Sequence, residues 1–363
     1  MSNADTRSTL AQTIGGAPVH RRTHRRVDGR NVHLYGYAPH VGVPAPQPPE
    51  ELARGAELRL HPLRGEWNVY AAHRQHRTFK PSTADNPLAP TAPGGPVTEI
   101  PFETFELAVF ENRFTSFHPE APMPPERPAV RAVPAHGLCE VVVYGTEPTG
   151  NLHAIGQARR RLLLAAWIDR YEALFATGCE FVLPFENRGD AVGVTLPHPH
   201  GQVYGFAQTP RMSQLAASAF AEGYDLASAR AQTAATYEVY SLDGVSAWCP
   251  PYARFPYETW VLPQRRVAGP WELNEQELDA FAALLGDMTA RYDALFGEPT
   301  PYMMALHAAP KGQEATYHFT AQFYPILRAP GRLKYLASVE QHTGVFTVDV
   351  MPEQAAAALR ALA

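Results

Sequence analysis

PFENRGDAVGVTLPHPHGQVYGF, residues 184–206, reads as two strands joined by a polar loop. An apolar run over 180–185 leads into it, and the second strand carries His198, His200 and Gln202 at alternate positions. Side chains alternate faces along a strand, so these three point to one side, and Gly201 leaves the backbone between them approachable. An imidazole held in one tautomer is a competent nucleophile toward phosphorus, and an amide beside it can donate to phosphoryl oxygens. Spaced histidines also occur on plain surface strands and as half of a metal site, so the pattern alone leaves those readings open.

The surrounding chain is that of a globular protein with room for two domains or one large one. Its 363 residues are 45% hydrophobic and 18% charged, with a formal net charge of -5 that argues against a nucleic-acid binder. Cys139, Cys179 and Cys249 are odd in number and widely spaced, which excludes a disulfide framework and a CxxC zinc knuckle. Neither a signal peptide nor an apolar run of membrane-spanning length is evident, so a cytoplasmic location is expected.

Outward from the central stretch, residues 1–57 read as an amino-terminal arm and linker, with order beginning at Glu57. Within it HRRTHRRVDGR, residues 20–30, is a basic run that can touch phosphates or serve as a solvated or dimer-clasping arm, and VGVPAPQPPE, 41–50, is a proline-rich linker. LRLHPLRGEWNVYAAH, 58–73, alternates around Trp67 and Val69 with Gly65 at a turn, as a hairpin does. Arg74 and Arg77 follow, spaced to grip a diphosphate or to stand as solvated charge. Strands are expected over 105–111 and 140–144, and an amphipathic helix over 157–177 with Leu163, Trp167, Tyr171 and Leu174 on one face. A second helix is expected over 213–235, a strand-like aromatic segment over 248–262, and a long helix capped by Asn274 and Glu277 that ends at Gly297.

The two halves look alike. Each runs strand, long helix ended by glycine, strand, and then a strand with a polar signature, HPHGQ at 198–202 and HFTAQ at 318–322. This reads as an internal duplication in which Thr320 takes the place of His200, so only the first copy has a nucleophile.

FENRG followed by HPHGQ, the hairpin followed by HRQHR, VFENRF at 109–114, and FPYETWVLP, ALHAAP and FYPILR in the second half together resemble the galactose-1-phosphate uridylyltransferase family, of the histidine-triad superfamily. The resemblance is collinear from about residue 58 to the end. It implies an α+β fold of two tandem histidine-triad-like domains, 58–212 and 213–363, whose antiparallel sheets form a half-barrel flanked by helices. It also implies a homodimer with composite active sites acting on a UDP-sugar and a sugar 1-phosphate. His200 then matches the histidine that takes the uridylyl group, with His198 beside it, and Gln202 the glutamine on the phosphoryl oxygens. Asn187 and Thr195 match phosphate-holding positions, and Arg74 and Arg77 the arginine pair that reaches across the dimer. Phe110 and Asn112 fall where the nucleoside is held, and Lys334 and Glu340 on the sugar side.

Departures from the family pattern are equally informative. Where members often carry a CxxC zinc pair this chain has Asn86 and Ala89, and Pro148 stands at the third ligand position, leaving His198 alone. Of the family's second metal site only His307 remains, with Thr320, Gln322 and Ala216 at the other positions. One imidazole does not hold a divalent ion where three or four ligands are needed, so no metal cofactor is expected. Val339 and Phe346 stand where polar sugar-side groups belong, which puts galactose itself in question. The expected activity is transfer of UMP from a UDP-hexose to a hexose 1-phosphate through a uridylyl-histidine. A phosphorylase or hydrolase of another nucleotide, adenylyl included, and a non-enzymatic nucleotide-binding protein are the alternatives.

Overall fold

The computed structural model describes residues 5–48, 52, 54–76 and 85–362. Arg77 lies outside the described residues. In chain order the first half comprises β1 (Thr6–Ile14), β2 (Ala17–Arg25), β3 (Asn31–Gly36), β4 (Glu57–His61), β5 (Glu66–Tyr70), β6 (Leu107–Glu111), β7 (Ala132–Pro134), β8 (Gly137–Val143), α1 (Gly156–Ala176), β9 (Phe181–Arg188) and β10 (His200–Phe206). The second half comprises α2 (Arg211–Ala221), α3 (Leu226–Tyr237), β11 (Glu238–Leu242), β12 (Val245–Trp248), β13 (Thr259–Pro263), α4 (Glu275–Phe296), β14 (Tyr302–His307), β15 (Thr320–Pro325), β16 (Leu327–Ala329), β17 (Arg332–Leu333), α5 (Ser338–Thr343) and α6 (Pro352–Arg360).

Twelve of these strands form one antiparallel sheet in the order β1-β2-β3-β6-β8-β10-β9-β14-β15-β13-β12-β11. Its centre has the symmetry of a duplication: β8-β10-β9 is followed by β14-β15-β13, so the two halves join where β9 pairs with β14. The fold is α+β, as the resemblance implied. The β4–β5 hairpin forms with Gly65 at φ +64° in its turn, and with β7 makes a separate three-stranded sheet.

α1 and α4 pack against each other and cover one face of the large sheet. The stripe expected for α1 is its buried side, with Trp167, Tyr171 and Leu174 fully buried, and α4 likewise buries Phe281, Met288 and Tyr292. α4 begins with a capping box in which the Asn274 side chain accepts from the Glu277 amide and the Glu277 carboxylate accepts from the Asn274 amide, each at 2.9 Å. Gly297 ends it at φ +67°. Among the described residues no helix is long and apolar enough to cross a membrane.

The amino-terminal segment corrects the sequence reading. Residues expected as a separate arm, solvated or clasping a dimer, build β1, β2 and β3, which extend the sheet from the edge of β6. Much of the basic run is buried: Arg22, His24, Arg26 and Arg30 are each 5% exposed or less, while Arg25 between them is exposed. Arg22 and His24 share Asp5, whereas Arg26 and Arg30 share Asp28. These four charges are paired inside, as buried cations must be. α1 is correspondingly covered on its polar side too, where Asp169 receives Arg21 at 2.6 Å and the Tyr35 hydroxyl at 2.6 Å.

Two further differences have local causes. The helix expected over 213–235 is split into α2 and α3, because Gly223 at φ +101° ends one and the Asp225 carboxylate caps the next through the Ser228 amide. The aromatic segment 248–262 is a strand only at its ends, since prolines 250, 251 and 256 remove ladder donors between β12 and β13.

Candidate active site

The sheet face opposite α1 and α4 carries the polar row. Gln202 pairs in register with Phe185 of β9 and Val141 of β8, and Val141 pairs with Phe110 of β6, so Phe110 and Gln202 share this face. The β9–β10 ladder ends at Gln202 and Phe185, and continuing its register by two residues brings Asn187 of β9 toward His200 of β10. Val142, Val203 and Val182, on the alternate positions, point into the helix-covered core.

His200 opens β10 half-buried, and its Nδ1 lies 2.8 Å from the His198 carbonyl oxygen. A carbonyl only accepts, so Nδ1 carries the proton and Nε2 carries the lone pair. Among the described residues no group hydrogen-bonds that Nε2. Burial holds the ring's pKa below the ordinary histidine value, the His198 carbonyl opposing that shift. The result is a neutral imidazole of one tautomer with a free nucleophilic nitrogen.

His198, expected on the strand with His200 and Gln202, lies just before it, since β10 begins at His200 after Pro199, which has no ladder donor. It is 1% exposed and is held from both sides. Asn86 Nδ2, 3.0 Å away, donates to its Nδ1, and its Nε2 donates to the Gly145 carbonyl at 2.8 Å. The two bonds require the same tautomer, so they reinforce one another. This arrangement does not fit a metal ion, because both ring nitrogens are engaged and the donor beside His198 is an amide nitrogen with no lone pair to give. Among the described residues no three His, Cys, Asp or Glu side chains are grouped to bind a metal.

The strand itself is fixed from beneath. The Tyr144 amide donates to the Pro199 carbonyl at 3.2 Å, and the Tyr144 hydroxyl donates to the buried Glu186 carboxylate at 2.7 Å. A Cβ on Gly201 would stand 2.5 Å from that hydroxyl and 2.8 Å from the Phe185 carbonyl, so the position requires glycine. Tyr302 donates to the other Glu186 oxygen at 2.6 Å, tying β14 to the same carboxylate. None of Asn86, Tyr144 or Glu186 carries a local signal that marks such a role; each depends on contacts made 42 to 116 residues away.

The other expected residues are distributed as follows. Thr195 is half-buried in the loop before His198. Phe110 is 2% exposed and packs with Leu88 and Phe102 as a wall of this face, not as an open platform. Asn112 follows it, its side chain accepting from the Phe114 amide at 2.9 Å. Arg74 lies in a short 3-10 turn and donates to the Phe114 carbonyl at 2.5 Å. Lys334 and Glu340 are brought together at 3.0 Å, and the Lys334 ammonium holds the Glu340 carboxyl down to about 2. Both are buried, so in this chain they are partners of each other.

The duplicated half repeats the geometry with Thr320 in the place of His200. His318 is 2% exposed and its Nε2 donates to the Pro263 carbonyl at 2.9 Å, as His198 does to Gly145. Thr320 opens β15 where His200 opens β10, and it accepts from Gln322 at 3.1 Å while Gln322 accepts from the Tyr324 hydroxyl. Burial, then the nearby Arg254 charge, push His307 down to about 4. Phe346 packs on Phe255 and under the Arg254 guanidinium, filling this side with apolar surface.

Comparison with known proteins gives the family of the chain. Residues 48–210 match the N-terminal domain model of galactose-1-phosphate uridyl transferase, and residues 220–363 match its C-terminal domain model. A galactose-1-phosphate uridylyltransferase of Thermotoga maritima is 35% identical over 316 residues, covering 84% of this chain and 98% of the relative. One from Streptomyces lividans is 31% identical over 341 residues, covering 87% and 90%. A solved uridylyltransferase structure superposes with a TM-score of 0.76 at 26% identity, covering 84% of this chain and 98% of the other. An ADP-glucose phosphorylase of Arabidopsis thaliana shares the fold, with a TM-score of 0.62 at 18% identity over 84% of this chain and 98% of its own. Both domain models align in order along one chain, and the chain belongs to the galactose-1-phosphate uridylyltransferase family.

Proposed function

We propose that this protein is a uridylyltransferase that moves UMP from a UDP-hexose to a hexose 1-phosphate, with His200 as the carrier. The observation that carries the reading is the single-tautomer His200, whose Nδ1 is committed to the His198 carbonyl and whose Nε2 is left for attack. In the first half-reaction a bond forms from Nε2 to the α-phosphorus, and the bond from that phosphorus to the bridging oxygen breaks. Hexose 1-phosphate departs with the electron pair. Its phosphate is already an adequate leaving group, so no general acid is needed.

The imidazolium-like intermediate keeps its Nδ1 proton on the His198 carbonyl. Gln202 donates its amide hydrogens to the α-phosphoryl oxygens, assisted by Asn187 and Thr195, in a site whose preorganised donors stabilise developing charge. In the second half-reaction a phosphate oxygen of the acceptor attacks phosphorus and the Nε2–phosphorus bond breaks, giving ping-pong kinetics. Gln202 cannot act as acid or base near neutrality, which disfavours hydrolysis of the intermediate by water. The reaction is proposed to run without a metal, since His198 is oriented by Asn86 and Gly145 instead.

Intact mass after exposure to UDP-glucose, UDP-galactose and ADP-glucose tests the reading. A uridylyl adduct that maps to His200 and is absent in His200→Ala is expected. An adenylyl adduct alone would reassign the nucleotide, and full turnover by His200→Ala would overturn the mechanism.

A further inference from the structure

The family match begins at residue 48, yet the catalytic sheet does not. β1, β2 and β3 precede the matched region, and β3 pairs with β6 from Val32 opposite Phe110 to Tyr35 opposite Leu107. β6 leads directly into Asn112. The turn joining β2 to β3 is packed with charge that faces inward. Arg30, 2% exposed, donates from Nε and Nη2 to Asp28 at 3.0 and 2.8 Å and pairs with Glu99 at 2.8 Å. Its Nη1 also donates to the Glu111 carbonyl at 3.0 Å. That carbonyl belongs to the peptide joining Glu111 to Asn112.

Asn31 holds the other end of the same residue. Its amide and its side-chain nitrogen both donate to Glu111 Oε1, at 3.1 and 2.8 Å. Arg26 anchors the turn to the segment behind it through the carbonyls of Glu99 at 2.6 Å and Thr98 at 3.3 Å. Main chain and side chain of Glu111 are therefore both gripped by two adjacent residues of the extension. A backbone so determined leaves Phe110 and Asn112, on either side of it, little freedom.

We infer that Arg30 and Asn31 are positioning residues for the nucleotide, fixing Glu111 so that Phe110 and Asn112 meet the nucleoside in one geometry. Resting on the nucleoside-side reading of Phe110 and Asn112, the inference assigns the amino-terminal strands a part in substrate affinity beyond closing the sheet edge. Preorganisation of this kind lowers the ordering cost of binding. Its loss shows in the KM for the substrate that uses the wall, and the other substrate is spared.

Steady-state exchange kinetics on the full chain, varying nucleotide sugar and hexose 1-phosphate separately, test it with Asn31→Ala, Arg30→Met, Arg30→Lys and Asn112→Ala. Arg21→Gln, which breaks the Asp169 pair on the opposite face of β2, serves as a control for lost stability alone. Asn31→Ala and Arg30→Met are expected to raise the nucleotide-sugar KM by about ten-fold with kcat and the hexose 1-phosphate KM within about two-fold, and Arg30→Lys to recover part of the loss. If Asn112→Ala raises that KM while the Arg30 and Asn31 variants behave like Arg21→Gln, the positioning role is overturned and the nucleoside assignment stands. If Asn112→Ala leaves the KM unchanged, the nucleoside assignment itself fails. Should Arg30→Met not fold, Asn31→Ala, which leaves the buried charges paired, decides the matter.

Discussion

His200 and His198 have the same side chain and different employment, and the difference is set by what each nitrogen touches. His200 spends one nitrogen on a backbone carbonyl and keeps the other, whereas His198 spends both. Because burial lowers the His200 pKa, the ring stays neutral to a lower pH than a free histidine, and protonation that would block attack is deferred. The acidic limb of kcat/KM should therefore lie below about 6.5, the ordinary histidine value. A limb above that value would remove His200 as the group that must be neutral. Asn86→Ala should strand the buried Nδ1 of His198, at a cost of about 1–3 kcal/mol. Urea unfolding measures that loss, and exhaustive chelation of the unmodified protein should leave both its stability and its activity in place. Stoichiometric zinc surviving purification would show that Asn86 does not do the orienting work proposed for it.

Among the elements, β10 is tightly confined at Gly201. Gly201→Ala places a methyl carbon against the Tyr144 hydroxyl and the Phe185 carbonyl, and one of those neighbours is backbone that cannot swing away. Separation of β9 from β10, or displacement of Tyr144 from Glu186, must follow. The expected result is a loss of about 1–3 kcal/mol in stability and a larger fall in kcat than that loss explains, because His200 and Gln202 flank the site of strain. Thermal unfolding and kcat measured on the same sample check this, and an unchanged kcat in a destabilised protein would show that the strand relaxes without moving His200. α1 teaches a different lesson at this scale. Its apolar stripe is legible at once, but Arg160, Arg161, Asp169 and Arg170 are buried too, because Arg160 lies against Gly286 of α4, Arg161 pairs with Glu275 and Asp279 of α4, Arg170 pairs with Glu140 of β8, and Asp169 receives Arg21 of β2 and Tyr35 of β3.

The arginine pair at 74 and 77 lies far before His200 in the chain, and a composite site in a two-fold homodimer is proposed, each subunit lending its arginines to the other. Co-expressed Arg77→Ala and His200→Ala chains should then recover activity, since one site of each heterodimer is intact. Heterodimers that form and stay inactive would place the arginine in its own subunit's chemistry, and a fully active monomer would dismiss composite sites altogether.

From the chain alone, the strand–loop–strand around HPHGQ, the two long helices, the capping box at Asn274 and the resemblance between the halves were all determined. Period-two and period-3.6 patterns, caps and glycine stops are local signals that survive in any tertiary setting. The basic amino-terminal run was misread because a string of arginines looks the same whether its charges meet water or meet Asp5, Asp28 and Glu99. Only the tertiary structure supplied those carboxylates, 2 to 73 residues away from the arginines and histidine they satisfy. The hold of Asn86 on His198 was hidden for the same reason: a hydrogen bond across 112 residues leaves no periodicity behind, and only folding decides which amide a buried imidazole will meet.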